Sequence, residues 1–350
     1  MWPFWLLFLV PAWAVLAPGR LKPSQARVVW GLVGVVFAVM IGLRHEVGGD
    51  WFNYLPHFDN TQALTLSEVL VYPDPGYYLL NWLVGRVGGD IYTVNLLCGA
   101  ILMWGTMVFC RAQPHPWLAL LAAVPYMLVV VGMGYTRQAI ALGFALLALT
   151  ALGKARVRAF VVWIAIGATF HKSAVLLLPI AALAASRNRM LSALLVAVVT
   201  ALLYFLLLAD ASEALWTNYV EAQYQSEGAL IRVLMNVVPA VLLILFRRRL
   251  APYPQERKLW LWMAAFALAC LPLVGMASTA VDRVALYLIP IQLFVFARLP
   301  RLASSVRART LLVLGVDGYY AAVLFVWLNF ATHAQYWLPY RNILFAWFWA

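Results

Sequence analysis

Apolar runs separated by short polar clusters recur from one end of this chain to the other. They fall at 2–17, 28–43, 91–110, 117–132, 135–152, 190–208, 230–246, 259–276, 284–298 and 310–328. A helix needs about 20 apolar residues to cross the hydrocarbon of a bilayer, and these runs approach that length. They lack the alternation of apolar and polar residues that marks a membrane strand. The pattern therefore predicts an all-α, polytopic integral membrane bundle, read as a single domain over 1–350.

Segment 159–185 does not fit a simple alternation of crossings, because basic residues flank both of its ends. One crossing would put Arg187 and Arg189 on the side opposite every other basic cluster. Two short spans, 159–170 and 173–185, meeting at His171-Lys172-Ser173, remove the conflict. Irregular backbone at membrane depth is tolerated where protein or a wet cavity surrounds it. A single long tilted helix with inverted flanks is the alternative. With a helical hairpin around His171, the path amounts to about 12 crossings.

Charge fixes the orientation. The chain is 65% hydrophobic and 11% charged, with 25 Lys and Arg against 13 Asp and Glu. Eighteen of the 25 basic residues lie in short clusters between runs, such as Lys154/Arg156/Arg158, Arg247 to Arg249 and Arg307/Arg309. This is the positive-inside pattern, so the net charge of +12 reports topology and no nucleic-acid partner is expected. The resulting path starts outside. It leaves 44–90 external, with an amphipathic piece at 76–87, and 209–229 external, carrying Asp210, Glu213, Glu221 and Glu227. Met1 to Ala17 lacks the basic start of a signal peptide and reads as the first span.

Seven basic residues do not belong to the clusters: Arg44, Arg86, Arg137, Lys172, Arg232, Arg283 and Arg341. An ionised group at membrane depth is costly, so each calls for a counter-charge or an anionic ligand. Asp282 beside Arg283, and Asp50 after Arg44, are candidate partners. Arg137, in Tyr135-Thr136-Arg137-Gln138, would enter the membrane at a helix start, where backbone N–H groups also favour anions. Arg341, in Trp337-Leu338-Pro339-Tyr340-Arg341-Asn342, offers a planar fork suited to phosphate. Snorkelling to lipid headgroups is the plainer role for Arg137, and anchoring at the interface, beside belt residues Trp337 and Tyr340, is the plainer role for Arg341. Asp317, inside the last run, is expected to pair within the bundle.

Several chemistries find no support. The three cysteines lie in or at the edge of apolar runs without metal spacing, and Asp-x-Asp and paired histidines are missing. So are a phosphate-cradling Gly-rich loop and Gly-x-Ser-x-Gly. No bound metal or other cofactor is expected.

Five pieces together resemble the EpsG family, the Wzy-like polymerases of bacterial exopolysaccharide assembly. They are Leu43-Arg44 through Gly49-Asp50-Trp51 and Tyr54, Tyr135-Thr136-Arg137-Gln138, Phe170-His171-Lys172-Ser173-Ala174, Asp282-Arg283, and Trp337 through Asn342. The resemblance implies a GT-C-like helical glycosyltransferase of the inner membrane, active on the outer face without a nucleotide sugar. Donor and acceptor would both be undecaprenyl-diphosphate-linked oligosaccharides, supplied by a Wzx-type flippase. A Wzz-like or Wzc-like partner would set chain length.

The residues fit that chemistry. A diphosphate leaving group held without metal needs preorganised cations, for which Arg44, Arg137 and Arg341 are the candidates. The attacking hydroxyl benefits from a base, with His171 the first candidate and Asp50 the second. Lys172, Asp282 and Arg283 would shape the substrate site, with Trp51, Tyr54 and Tyr340 as aromatic contacts, although such rings also serve as interface packing. A transporter or flippase for lipid-linked oligosaccharide, or another GT-C transferase or ligase, would use much the same residues.

Overall fold

The computed structural model describes residues 1–17, 22–184, 189–207 and 228–348. Nearly all of this backbone is helical, and the only extended pairing among the described residues is an isolated antiparallel bridge between Arg44 and Asn342. Most of the acidic segment 209–229, and the clustered Arg20 and Arg187, lie outside the described residues. Among the described residues, five helices are long and apolar enough to cross a membrane: Pro23–Gly42, Ile91–Arg111, Pro116–Gly134, Thr136–Gly153 and Val306–Phe330. A sixth is counted if Ser278–Leu288 and Pro290–Leu302, bent by 42° at their junction, form one broken span. Three shorter apolar helices, Trp2–Leu16, Val157–Phe170 and Ala229–Leu245, accompany them. The chain is thus a helical integral membrane protein.

It divides into two compact units, one of Met1–Phe144 with Val313–Ala350 and one of Ala145–Leu312. The first begins with α1 (Trp2–Leu16) and α2 (Pro23–Gly42). Three short helices follow, α3 (Trp51–Gln62), α4 (Leu66–Val71) and α5 (Pro75–Arg86). The sequence pattern marks only the last of these. The middle one is fixed by a reciprocal cap, in which Thr65 Oγ1 accepts from the Glu68 N–H and Glu68 accepts from the Thr65 N–H. Next come α6 (Ile91–Arg111), α7 (Pro116–Gly134) and α8 (Thr136–Gly153), which carries the chain into the second unit.

Small residues set the helix crossings of this unit, as membrane helices without a hydrophobic driving force require. A Cβ on Gly42 of α2 would fall 2.3 Å from Leu96 Cα of α6. One on Gly105 of α6 would fall 2.1 Å from Gly143 O of α8. α7 is the core helix, buried throughout from Leu118 to Gly134. Its middle, Val124–Val131, widens to i→i+5 pairing just where Pro125 cannot donate.

In the second unit, α9 (Val157–Phe170) stops at His171, whose backbone is extended (φ −156°, ψ 112°). A tight turn Lys172–Leu177 leads into α10 (Leu178–Ala184), which packs back against α9. The chain therefore breaks at the residue that the charge pattern singles out. After α11 (Arg189–Leu207), α12 (Ala229–Leu245) is the central element, followed by the basic turn α13 (Arg247–Leu250). Around α12 pack α14 (Pro254–Leu273), α15 (Ser278–Leu288) and α16 (Pro290–Phe296). A buried polar thread joins three of them: Gln292 Nε2 donates to Asn236 Oδ1 at 2.7 Å, and Asn236 Nδ2 to Ala285 O at 2.8 Å.

α17 (Val306–Phe330) returns the chain to the first unit, with only 22% of its apolar window buried. The partner expected for Asp317 is not found: its buried Oδ1 has no hydrogen-bond partner among the described residues. A peripheral helix presents few polar neighbours to such a group. The C-terminal strap then lies over the ends of α2 and α7. Trp337 Nε1 donates to Val129 O at 3.0 Å, within the widened turn, and Tyr340 Oη to Met40 O at 2.6 Å.

Candidate functional site

Two polar constellations stand on this apolar scaffold, one in each unit. The first is organised by Arg44, two residues past the end of α2 and 1% exposed. Its guanidinium donates to Ile41 O at 2.6 Å, Val47 O at 3.0 Å and Thr136 Oγ1 at 2.8 Å, and lies 5.7 Å from the Trp51 ring centroid. Asp50, expected as its counter-charge, is not among these partners. Arg44 instead ties the end of α2 to the start of α8, and the Arg44–Asn342 bridge adds the C-terminal strap. Gly48 is needed at the same corner. Its φ is +109°, and a Cβ there would stand 2.1 Å from Met133 O.

Arg137, at the second position of α8, keeps 31% of its side chain exposed. Its Nη1 donates to Asp74 Oδ2 at 2.9 Å, and both its backbone and side chain hydrogen-bond the phenol of Tyr54. Tyr54 is 2% exposed, and burial pushes its pKa up to about 12, so it remains a neutral phenol. Beside them, the Tyr78 hydroxyl lies 2.9 Å from His57 Nδ1. The His57 imidazole is held below its usual value, first by burial and then by the nearby Arg137.

Arg341 is more open, with 39% of its side chain exposed, and its Nη1 donates to Glu46 Oε2 at 2.8 Å. Its neighbour Tyr340 is part-buried and packs edge-on against Phe4. The two carboxylates that hold Arg137 and Arg341 share a backbone peculiarity: Asp74 (φ 59°) and Glu46 (φ 52°) are both left-handed. Asp tolerates that region, whereas for Glu it is uncommon, and strain of this kind persists only where surrounding contacts enforce it.

The second constellation surrounds His171, which is 7% exposed. Arg283 Nη1 lies 3.4 Å from its Nε2. A guanidinium can only donate, so this contact favours the imidazole form with its lone pair on Nε2. Asp282, next to Arg283 on α15, gives both carboxylate oxygens to Arg232 of α12, with Nη2 at 2.7 Å from Oδ2. The sequence neighbour Arg283 therefore did not reveal this fork. Lys172 follows His171 directly, in the turn that ends α9.

The structure thus brings Arg44, Asp50, Trp51, Tyr54, Arg137, Tyr340 and Arg341 into the first unit and His171, Lys172, Asp282 and Arg283 into the second. Sequence reasoning did not find Asp74, Glu46 or Thr136 as partners. The signal for Asp74 was Pro73-Asp74-Pro75-Gly76, a turn in which a buried acid can be held. Among the described residues, no three His, Cys, Asp or Glu side chains gather as metal ligands.

Apolar helices with arginines and a histidine near their ends define a helical membrane protein. The family model described as EpsG family matches residues 27–342, nearly the whole chain, and the protein belongs to that family. No curated protein matches the chain. Membership makes it a polysaccharide-polymerase-like membrane protein, of glycosyltransferase type.

Proposed function

We propose that the protein joins undecaprenyl-diphosphate-linked oligosaccharide repeat units on the outer face of the bacterial inner membrane, within a GT-C-like bundle of about 12 crossings. In each cycle a hydroxyl of one lipid-linked unit attacks the anomeric carbon of another. The new glycosidic bond forms as the bond to the diphosphate breaks, and undecaprenyl diphosphate leaves. A Wzx-type flippase would deliver the units and a Wzz-like or Wzc-like partner would set chain length.

The observation that carries this reading is the state of Arg137. It is preorganised by Asp74 and Tyr54, it stands at a helix N-terminus, and 31% of its side chain remains open. Positive charge fixed in advance stabilises a developing diphosphate without reorganisation, and the helix start adds backbone donors. Arg341 is the second exposed guanidinium, positioned by Glu46. Arg44, with its donors spent on protein oxygens, is a positioning residue that fixes the start of α8. Trp51 and Tyr54, each 2% exposed, support the arginines from behind, and Tyr340 anchors the strap.

His171 is the proposed general base, with Asp50 as the second candidate. Lys172 and Arg283 would hold the saccharide or its phosphates near it, and Asp282 would shape the site by fixing Arg232. Reconstitution with purified lipid-linked repeat units tests the reading. A ladder of polymer with free undecaprenyl diphosphate supports it, and loss of both in Arg137→Ala ties it to this site. Movement of the substrate across the bilayer with no ladder would replace it with transport.

A further inference from the structure

The basic end of α12 carries more than a topology signal. Six arginines are exposed there: Arg247, Arg248 and Arg249 on α13, Arg301 in the turn Leu299–Leu302, and Arg307 and Arg309 at the start of α17. None of them forms an ion pair among the described residues. The stretch 229–312 contains only two carboxylates, and both are taken: Glu256 accepts from Arg298 at 2.7 Å, and Asp282 holds Arg232. The arginines are not scattered along a surface, because α13 packs directly on the turn that carries Arg301.

Between these basic elements runs an apolar crevice of about 540 Å³, lined by Leu242, Phe246, Leu299, Leu302, Ala308 and Leu312, among others. Phe246 also lines a second cavity, of about 470 Å³, together with Ile244, Leu245, Arg247, Arg248 and Arg249. One residue thus borders both an apolar slot and a run of arginines. A free anion has no use for the slot, and an uncharged lipid has none for the arginines. An acyl chain joined to a phosphate uses both, and guanidinium forks match phosphate oxygens geometrically.

We infer that this is a specific binding site for an anionic glycerophospholipid, with an acyl chain along Phe246, Leu302 and Ala308 and the headgroup phosphate on Arg247 to Arg249. Basic pockets between membrane helices recognise such headgroups. The site lies wholly within the second unit, and its lining includes none of the residues assigned to polymerisation.

The test is lipid retention by the full-length protein, read by native mass spectrometry in a neutral detergent with added phosphatidylglycerol or phosphatidylcholine. The site predicts that phosphatidylglycerol is retained at least about tenfold better than phosphatidylcholine. Replacing Arg247, Arg248 and Arg249 together with Gln removes that preference, as does filling the slot with Ala308→Trp. Gln at Lys154, Arg156 and Arg158, the other basic turn of this unit, leaves it intact. Ala303→Leu, a smaller filling of the same crevice, serves if the Trp variant does not fold. Equal loss from the 154–158 substitutions, or full retention in both slot-filling variants, would reduce the observation to general charge attraction and overturn the site. Displacement by inorganic phosphate alone would also overturn it, since the ligand would then need no acyl chain.

Discussion

Arg137 and Asp74 meet at 2.9 Å across 63 positions of sequence, one at the start of a membrane helix and the other in a left-handed turn. The acid is 6% exposed while the guanidinium remains partly open. The buried carboxylate therefore acts as a fixed backing that aims the cation, a geometry that neither residue defines alone.

Removing either member should separate aiming from charge. Arg137→Ala is expected to fold and to lose at least about 100-fold in polymer formation, the scale for deleting a preorganised transition-state donor. Asp74→Asn keeps the hydrogen-bonding shape but weakens the hold on the fork, and a loss of roughly 10-fold or more follows from misplacement. Initial rates of lipid diphosphate release check both.

Arg44 predicts the opposite partition. Three of its N–H groups bond to protein oxygens in a site 1% exposed. Losing each charge-assisted bond costs about 1.5–3 kcal/mol, so Arg44→Ala and Arg44→Lys should both lower thermal stability in detergent. Lys fails as well, because a point charge on a flexible stem cannot reach three oxygens set around a planar fork.

The corner at Gly48 is set by backbone geometry. With φ +109° and a Cβ position 2.1 Å from Met133 O, Gly48→Ala should reduce the yield of folded protein and its melting temperature. Gly31→Ala, where a Cβ meets nothing within 4 Å, is the matched control and should be neutral.

Acid should loosen the segment that carries α3. The His57 imidazole is held below its ordinary value by burial and then by Arg137, with Asp50 opposing. As pH falls through about 6.5, the unfolded segment takes up a proton that the folded one refuses, so native stability declines with pH in that window. Unfolding followed from pH 7.5 to 5 should show a downward slope that His57→Gln flattens, since Gln retains a partner for the Tyr78 hydroxyl 2.9 Å from the ring.

How much of this was open to sequence reading depends on range. Apolar runs of about 20 residues announce membrane helices by themselves, and Arg44, Arg137 and Arg341 stand out because they lie outside the basic clusters and charge at membrane depth is costly. The break at His171 was legible because inverted basic flanks demanded a reversal. The partners were not: Glu46 lies 295 positions from Arg341 and Arg232 lies 50 from Asp282, and one sequence holds no record of such pairings. The helices α3 and α4 escaped notice because they are short, although Thr65 and Glu68 spell a capping box. The widened turn at Pro125 was hidden within an unbroken apolar run.

The account rests on Arg137 facing a lipid-linked diphosphate, and the most direct measurement follows both products of one reaction. Purified protein in proteoliposomes, given lipid-linked repeat units, should release one undecaprenyl diphosphate for each new glycosidic linkage. Arg137→Ala should suppress release and ladder together while the protein remains folded. A ladder of undiminished length from folded Arg137→Ala protein, or polymer formed without release of the lipid diphosphate, would contradict it.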